Sequence, residues 1–105
     1  MKKRRPLEII SGKTNADSSL AWASEDSVVS GRTPGTSAGD VTVWLPTGFR
    51  PISVVATNAA GNARAIGIIM SYSTTGQWTF RLLHYNLSAA LIDEAMFFTV
   101  TGYRQ

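Results

Sequence analysis

From Val41 onward the chain is a succession of β-branched and aromatic runs separated by turn formers, and this feature constrains the fold most. Val41-Thr42-Val43-Trp44-Leu45 alternates, with Val41, Val43 and Leu45 on one face and Trp44 on the other. Pro46-Thr47-Gly48 stops it. Ile52–Thr57 is a second run, closed by Asn58-Ala59-Ala60-Gly61-Asn62, and Ala65–Ser73 a third, closed by Thr74-Thr75-Gly76. Gln77–Tyr85 places Trp78, Phe80, Leu82 and His84 on one face and Thr79, Arg81, Leu83 and Tyr85 on the other. Met96–Tyr103 is the fifth. Only Ser88–Ala95 breaks the pattern, reading as a helical turn or a long loop. Short strands at this spacing predict an all-β fold, an antiparallel, jelly-roll-like β-sandwich.

The first forty residues read differently. Residues 11–40 are rich in Ser, Thr, Gly, Asn and Asp, with small apolar islands at Leu20–Trp22 and Val28–Val29. Thirty polar residues without regular structure are unusual inside a small compact domain. The expected division is therefore an extended N-terminal arm over 1–40 and a β-sandwich over 41–105. Contact with a neighbouring chain is the simplest way to order such an arm.

Charge sharpens this division. The 105 residues carry ten Lys and Arg against seven Asp and Glu, a net of +3. Lys2, Lys3, Arg4 and Arg5 supply four of the ten. Without them six basic residues face seven acidic ones, a net of −1, so the basicity is a terminal tag on a near-neutral domain. Four charges without interleaved aromatics give weak electrostatic attraction and no sequence readout, so specific nucleic-acid binding is not expected. The tag suits an acidic protein surface or another anionic surface. A signal peptide needs roughly 7–15 apolar residues after its basic start, whereas Pro6 and Glu8 interrupt the run here. No window nears the ~20 apolar residues of a membrane span, so insertion is not expected.

Chemistry-bearing motifs are few. With no Cys and one His, a disulfide framework, a thiolate metal site and a thiol nucleophile are excluded. Gly35-Thr36-Ser37-Ala38-Gly39 matches the G-x-S-x-G elbow of hydrolases, but it leads into a strand and its only possible base is His84. Ser11-Gly12-Lys13-Thr14 resembles the end of a phosphate-binding loop, but position 7, where the first glycine belongs, is Leu. Asp93-Glu94 is an adjacent carboxylate pair, whereas glycosidases set their two carboxyls across a cleft. Asn86-Leu87-Ser88 is a formal glycosylation sequon. His84 beside aromatics reads as a packed residue, with no ligand-spaced partner nearby. No enzyme, cofactor or metal centre is expected. Because Trp44 opposes the Val41/Val43/Leu45 face, one of the two faces should meet something outside the domain's own core. That partner is a subunit interface or, in the alternative reading, a glycan stacked on Trp44, Tyr72, Trp78 and Tyr85 as in a carbohydrate-binding module.

Leu45-Pro46-Thr47-Gly48-Phe49-Arg50-Pro51 carries more specific information. Pro46 and Pro51 fix φ, Gly48 permits a tight turn, Phe49 can anchor the turn in the core, and Arg50 is left to bind loop carbonyls or a neighbour. A strand ending in Leu-Pro, a Gly-Phe-Arg-Pro turn, three further strands and a closing Phe98-Thr99-Val100-Thr101-Gly102-Tyr103 resemble head and tip domains of bacteriophage fibre and baseplate proteins. The resemblance covers 41–105. It implies a trimeric β-sandwich in a virion fibre, spike, baseplate or decoration protein, partnered by itself and by other virion proteins. Receptor sugars often bind such heads, so a host-surface glycan is a further partner it implies, although no binding residue matches by position. The chain departs from long fibres in lacking a shaft. A short protein that docks through Lys2, Lys3, Arg4 and Arg5 is the expectation.

Overall fold

The computed structural model describes residues 6–36, 38–59, 61, 64–72 and 76–104. Among them are eight strands and no helix: β1 Glu8–Thr14, β2 Leu20–Ala23, β3 Val29–Arg32, β4 Asp40–Trp44, β5 Phe49–Asn58, β6 Ala65–Tyr72, β7 Trp78–Tyr85 and β8 Met96–Arg104. They form two four-stranded antiparallel sheets, ordered β2-β1-β8-β5 and β3-β4-β7-β6.

The alternation of side chains explains both layers. On β4 and β7 the register pairs Val41 with Leu82 and Val43 with Phe80, so both strands turn the same apolar rows inward. On β1 and β8 it pairs Ile10 with Val100 and Gly12 with Phe98. These inner rows meet in a single buried cluster, completed by Val28, Leu45, Phe49 and Met96. Phe80 and Phe98 touch edge to face at its centre, with ring centroids 5.4 Å apart. Two sheets sharing one core in this way make a β-sandwich.

The expected arm over 1–40 is corrected by the structure. Residues 8–32 supply three of the eight strands. β1 is an interior strand, bonded to β2 on one side and β8 on the other. Within the chain this region pairs with the later strands, β1 with β8 and β3 with β4. The reason it reads as polar is local. Ile10, Gly12 and Thr14 are the buried positions of β1, and two of those three are not hydrophobic side chains. Gly12 is required there: a Cβ would lie 2.4 Å from the Phe98 ring and 2.8 Å from the Trp22 carbonyl oxygen. The Ser11–Thr14 stretch is thus core strand and has no phosphate-loop geometry. The tag at Lys2, Lys3, Arg4 and Arg5 lies outside the described residues.

Ser88–Ala95 forms a loop and not a helical turn. Asn86 organises its first half, with the side-chain Oδ1 accepting from the backbone N–H of Ser88 and Ala90 at 2.9 and 3.1 Å. Ala89 takes a positive φ of 62°, which ends any helical path. The second half returns along β7, where the Ile92 N–H donates to the His84 carbonyl at 2.9 Å. The asparagine of the sequon is thus a loop-forming residue.

Candidate functional site

The Leu45–Pro51 motif closes one end of the sandwich. The Phe49 N–H donates to the Pro46 carbonyl at 3.1 Å, and Gly48 between them has φ 85°, the pattern of a type II turn. Phe49 is fully buried, as its role of anchor requires. The strand that follows starts earlier than its β-branched run because the turn itself pairs with β8. Phe49, Arg50 and Pro51 lie opposite Arg104, Tyr103 and Gly102. A Cβ on Gly102 would sit 2.2 Å from the Arg50 carbonyl oxygen and 2.8 Å from the Phe49 ring. Two segments some fifty residues apart therefore interlock at the motif.

Arg50 projects from this turn, with its guanidinium 5.9 Å from the Trp78 ring centroid. Trp78 in turn meets Tyr72 edge to face at 5.0 Å. The Gln77 side-chain amide donates to the Leu45 carbonyl at 2.8 Å and ties this end of β7 to the motif. Arg50, Trp78 and Tyr72 thus make a cation–aromatic row of the kind that recognises planar or cationic groups, or that anchors a protein contact.

The four aromatics of the glycan reading do not share a platform. Tyr72 and Trp78 pair on the core side of the second sheet. Trp44 lies on its outer side, opposite Thr79. Tyr85 shares that outer side but sits six residues farther along β7, about 20 Å away. A single sugar ring can reach Tyr72 with Trp78, but not all four.

The other end of the sandwich holds a second set of ionisable groups, apart from the Arg104 pair with Glu8 beside the motif. Asp40 is buried, and Arg81 donates to it through Nε at 3.1 Å and through an Nη at 2.5 Å. Thr33 Oγ1 adds a hydrogen bond at 2.6 Å, and these bonds hold the Asp40 carboxyl below the usual carboxylate range. Asp93 accepts from Arg32 and from the Gly39 N–H, both at 2.8 Å, and is lowered for the same reason. Asp93 and Glu94 diverge: Glu94 pairs with Arg64 at 2.9 Å. They are fasteners of the return loop and do not face each other. His84 is fully buried on the core side of β7, and neither ring nitrogen has a hydrogen-bond partner among the described residues. Burial pushes its pKa below 6.5, and Arg64 adds to this; Glu94 opposes it and is outweighed. A sealed imidazole is poorly placed to act as a general base at the surface. Ser37 itself lies outside the described residues, and the turn that begins at Pro34 and Gly35 leads into β4, not into a helix. Among the described residues no three His, Asp or Glu side chains converge as metal ligands would.

No family model, curated protein or solved structure matches the chain. What the site can do follows from its own geometry.

That geometry predicts a stability that falls with acid in two steps. The unfolded chain takes up a proton on His84 near pH 6.5, whereas the folded chain resists it until lower pH. Stability is thus full above 6.5 and declines below it. Asp40 and Asp93 have folded pKa values below 3.8, so their stabilisation is full above 3.8 and is lost as pH falls through the folded values. Thermal melts from pH 8 to pH 3 are expected to show both declines, and His84→Leu to remove the first. A melting temperature unchanged between pH 8 and pH 5 would contradict the first step.

Proposed function

We propose that this chain is a non-enzymatic structural protein of a bacteriophage virion: a small fibre, spike, baseplate or decoration component that assembles with copies of itself. The observation that carries this reading is the interlock at the motif. The resemblance to fibre and baseplate head domains rests on the Leu45–Pro51 turn and on the closing Phe98–Tyr103 strand, and these two segments pack against each other. The two-sheet architecture is compatible with such a head, and exposed apolar side chains on both sheets, among them Trp22, Ile69, Met70 and Phe97, are of the kind that subunit contacts cover.

In this reading the assembly is a trimer, the stoichiometry the resemblance implies. Lys2, Lys3, Arg4 and Arg5 anchor it on an acidic surface of other virion proteins. Three copies bring twelve tag charges to one surface, so avidity strengthens contacts that are weak singly. The host-glycan role is narrower than four aromatics suggest and falls to Tyr72, Trp78 and Arg50, the residues that lie together. Deleting residues 2–5 is expected to leave folding and self-association intact while cutting incorporation into particles by about tenfold, the effect of losing several weak charge contacts at once. Equal incorporation of the shortened chain would remove the anchoring role.

A further inference from the structure

Sheet edges are where β proteins guard against unwanted pairing, and three of the four edges here are guarded. β2 and β3 are four residues each, too short to template a partner. β5 is longer, but it carries Arg50, Pro51 and an irregularity in register between Pro51 and Ser53. β6 has none of these devices. Its eight residues, Ala65-Ile66-Gly67-Ile68-Ile69-Met70-Ser71-Tyr72, include no charge and no proline. They pair with β7 in unbroken register, and no strand among the described residues pairs with the other edge.

The side chains of β6 are unusual as well. Ile66, Ile68, Met70 and Tyr72 lie opposite His84, Leu82, Phe80 and Trp78, so they belong to the row facing the core. Their strand partners Leu82 and Phe80 are fully buried. Yet Ile68, Met70 and Tyr72 are 36%, 40% and 56% exposed, rising toward the motif end. The apolar core row therefore continues outward past the cover that the first sheet provides. On the outer face Ile69 is exposed too. On the outer face of the first sheet the exposed Phe97 is interleaved with polar residues. It lies between Thr57 and Lys13 across three strands, with the Lys13 ammonium over its ring.

We propose that β6 lies at the symmetry axis of a homo-oligomer, where Ile68 and Met70 of one copy pack against a second copy of this chain. The inference rests on the self-assembly reading above and names its seam. The occupant follows from charge. Residues next to a symmetry axis meet their own copies, so any charge there would face the same charge. An uncharged strand is what that position demands, in a chain where every other strand except β2 carries at least one Asp, Glu, Lys or Arg. A charged partner of another kind would find nothing complementary on β6. A second copy supplies an apolar row of matching chemistry and shields that backbone edge.

The test uses the intact chain. Sedimentation velocity is expected to show an oligomer of the 11.3-kDa chain for the wild type, and for Met70→Asp a folded monomer. The dissociation constant should rise about a hundredfold, as when a central contact is lost. Val55→Asp, on the outer face of the other sheet, should leave the oligomer intact. The chain has no cysteine of its own, so single cysteines report proximity directly. Ile68→Cys or Met70→Cys should form a disulfide-linked dimer on mild oxidation, and Val29→Cys should not. This second readout decides the matter should Met70→Asp fail to fold. A wild-type oligomer that survives Met70→Asp, or that gives no cross-link at 68 or 70, would overturn the seam and leave self-assembly standing. A wild type that stays monomeric at high concentration would overturn both.

Discussion

Gly102→Ala is expected to destabilise the fold more than any other single methyl addition at the motif. The added carbon would lie 2.2 Å from the Arg50 carbonyl oxygen and within 3 Å of the Phe49 ring. Neither neighbour can yield cheaply. The carbonyl is backbone in a paired strand, and Phe49 is fully buried beneath the turn. Overpacking against flexible side chains costs about 1–3 kcal/mol; against backbone about 3 kcal/mol or more is expected. In a domain of this size, where each kcal/mol moves the midpoint by roughly 4–8 °C, the melting temperature should drop by about 12 °C or more. Circular-dichroism melts of Gly102→Ala beside Thr101→Ala check this. Equal melting of the two variants would mean that the turn and the last strand are not interlocked, and the observation behind the functional reading would go with it.

The second large effect is expected from Phe98→Ala. Phe98 sits in the interior strand of the first sheet, meets Phe80 from the second edge to face, and fills the space that Gly12 leaves on the neighbouring strand. Truncation removes the ring's burial and opens a cavity between two rigid sheets, a combination that costs about 3–5 kcal/mol. The same change at Phe97, one residue away on the outer face and partly exposed, is expected to cost below about 1 kcal/mol. Chemical denaturation of the pair measures the contrast. Similar losses at both positions would contradict the assigned faces of β8 and hence the placement of the core.

Much of the second half was legible in the sequence because its strands announce themselves by composition. The faces of β4 and β7 follow from simple alternation: Val41, Val43, Phe80 and Leu82 are all inward and buried. β1–β3 were not legible, since Gly12 and Thr14 hold core positions that patterns of apolar residues do not mark. Gly12 is small because Phe98, more than eighty residues later, needs the room, and no local window carries that requirement. The return loop was ambiguous for a related reason. Its residues favour helix, but Asn86 and the positive φ of Ala89 redirect the backbone, and Ile92 then bonds to β7. At the candidate site the turn itself could be read, including the anchoring Phe49. Its partner Gly102 could not be paired with it without the register of β5 and β8, nor could the separation of Trp44 and Tyr85 from Tyr72 and Trp78. The exposure of β6 was equally hidden, because Ile68 and Met70 look like core residues in sequence and differ only in how far the opposite sheet reaches.

Immunogold electron microscopy of particles banded in a density gradient tests most directly the proposal that the chain is a virion component. Antibody raised against the folded domain is expected to label intact particles at a fixed structural position, with the protein co-banding in stoichiometric amounts. Unlabelled particles, with all of the protein left in the soluble host fraction, would rule out the virion role.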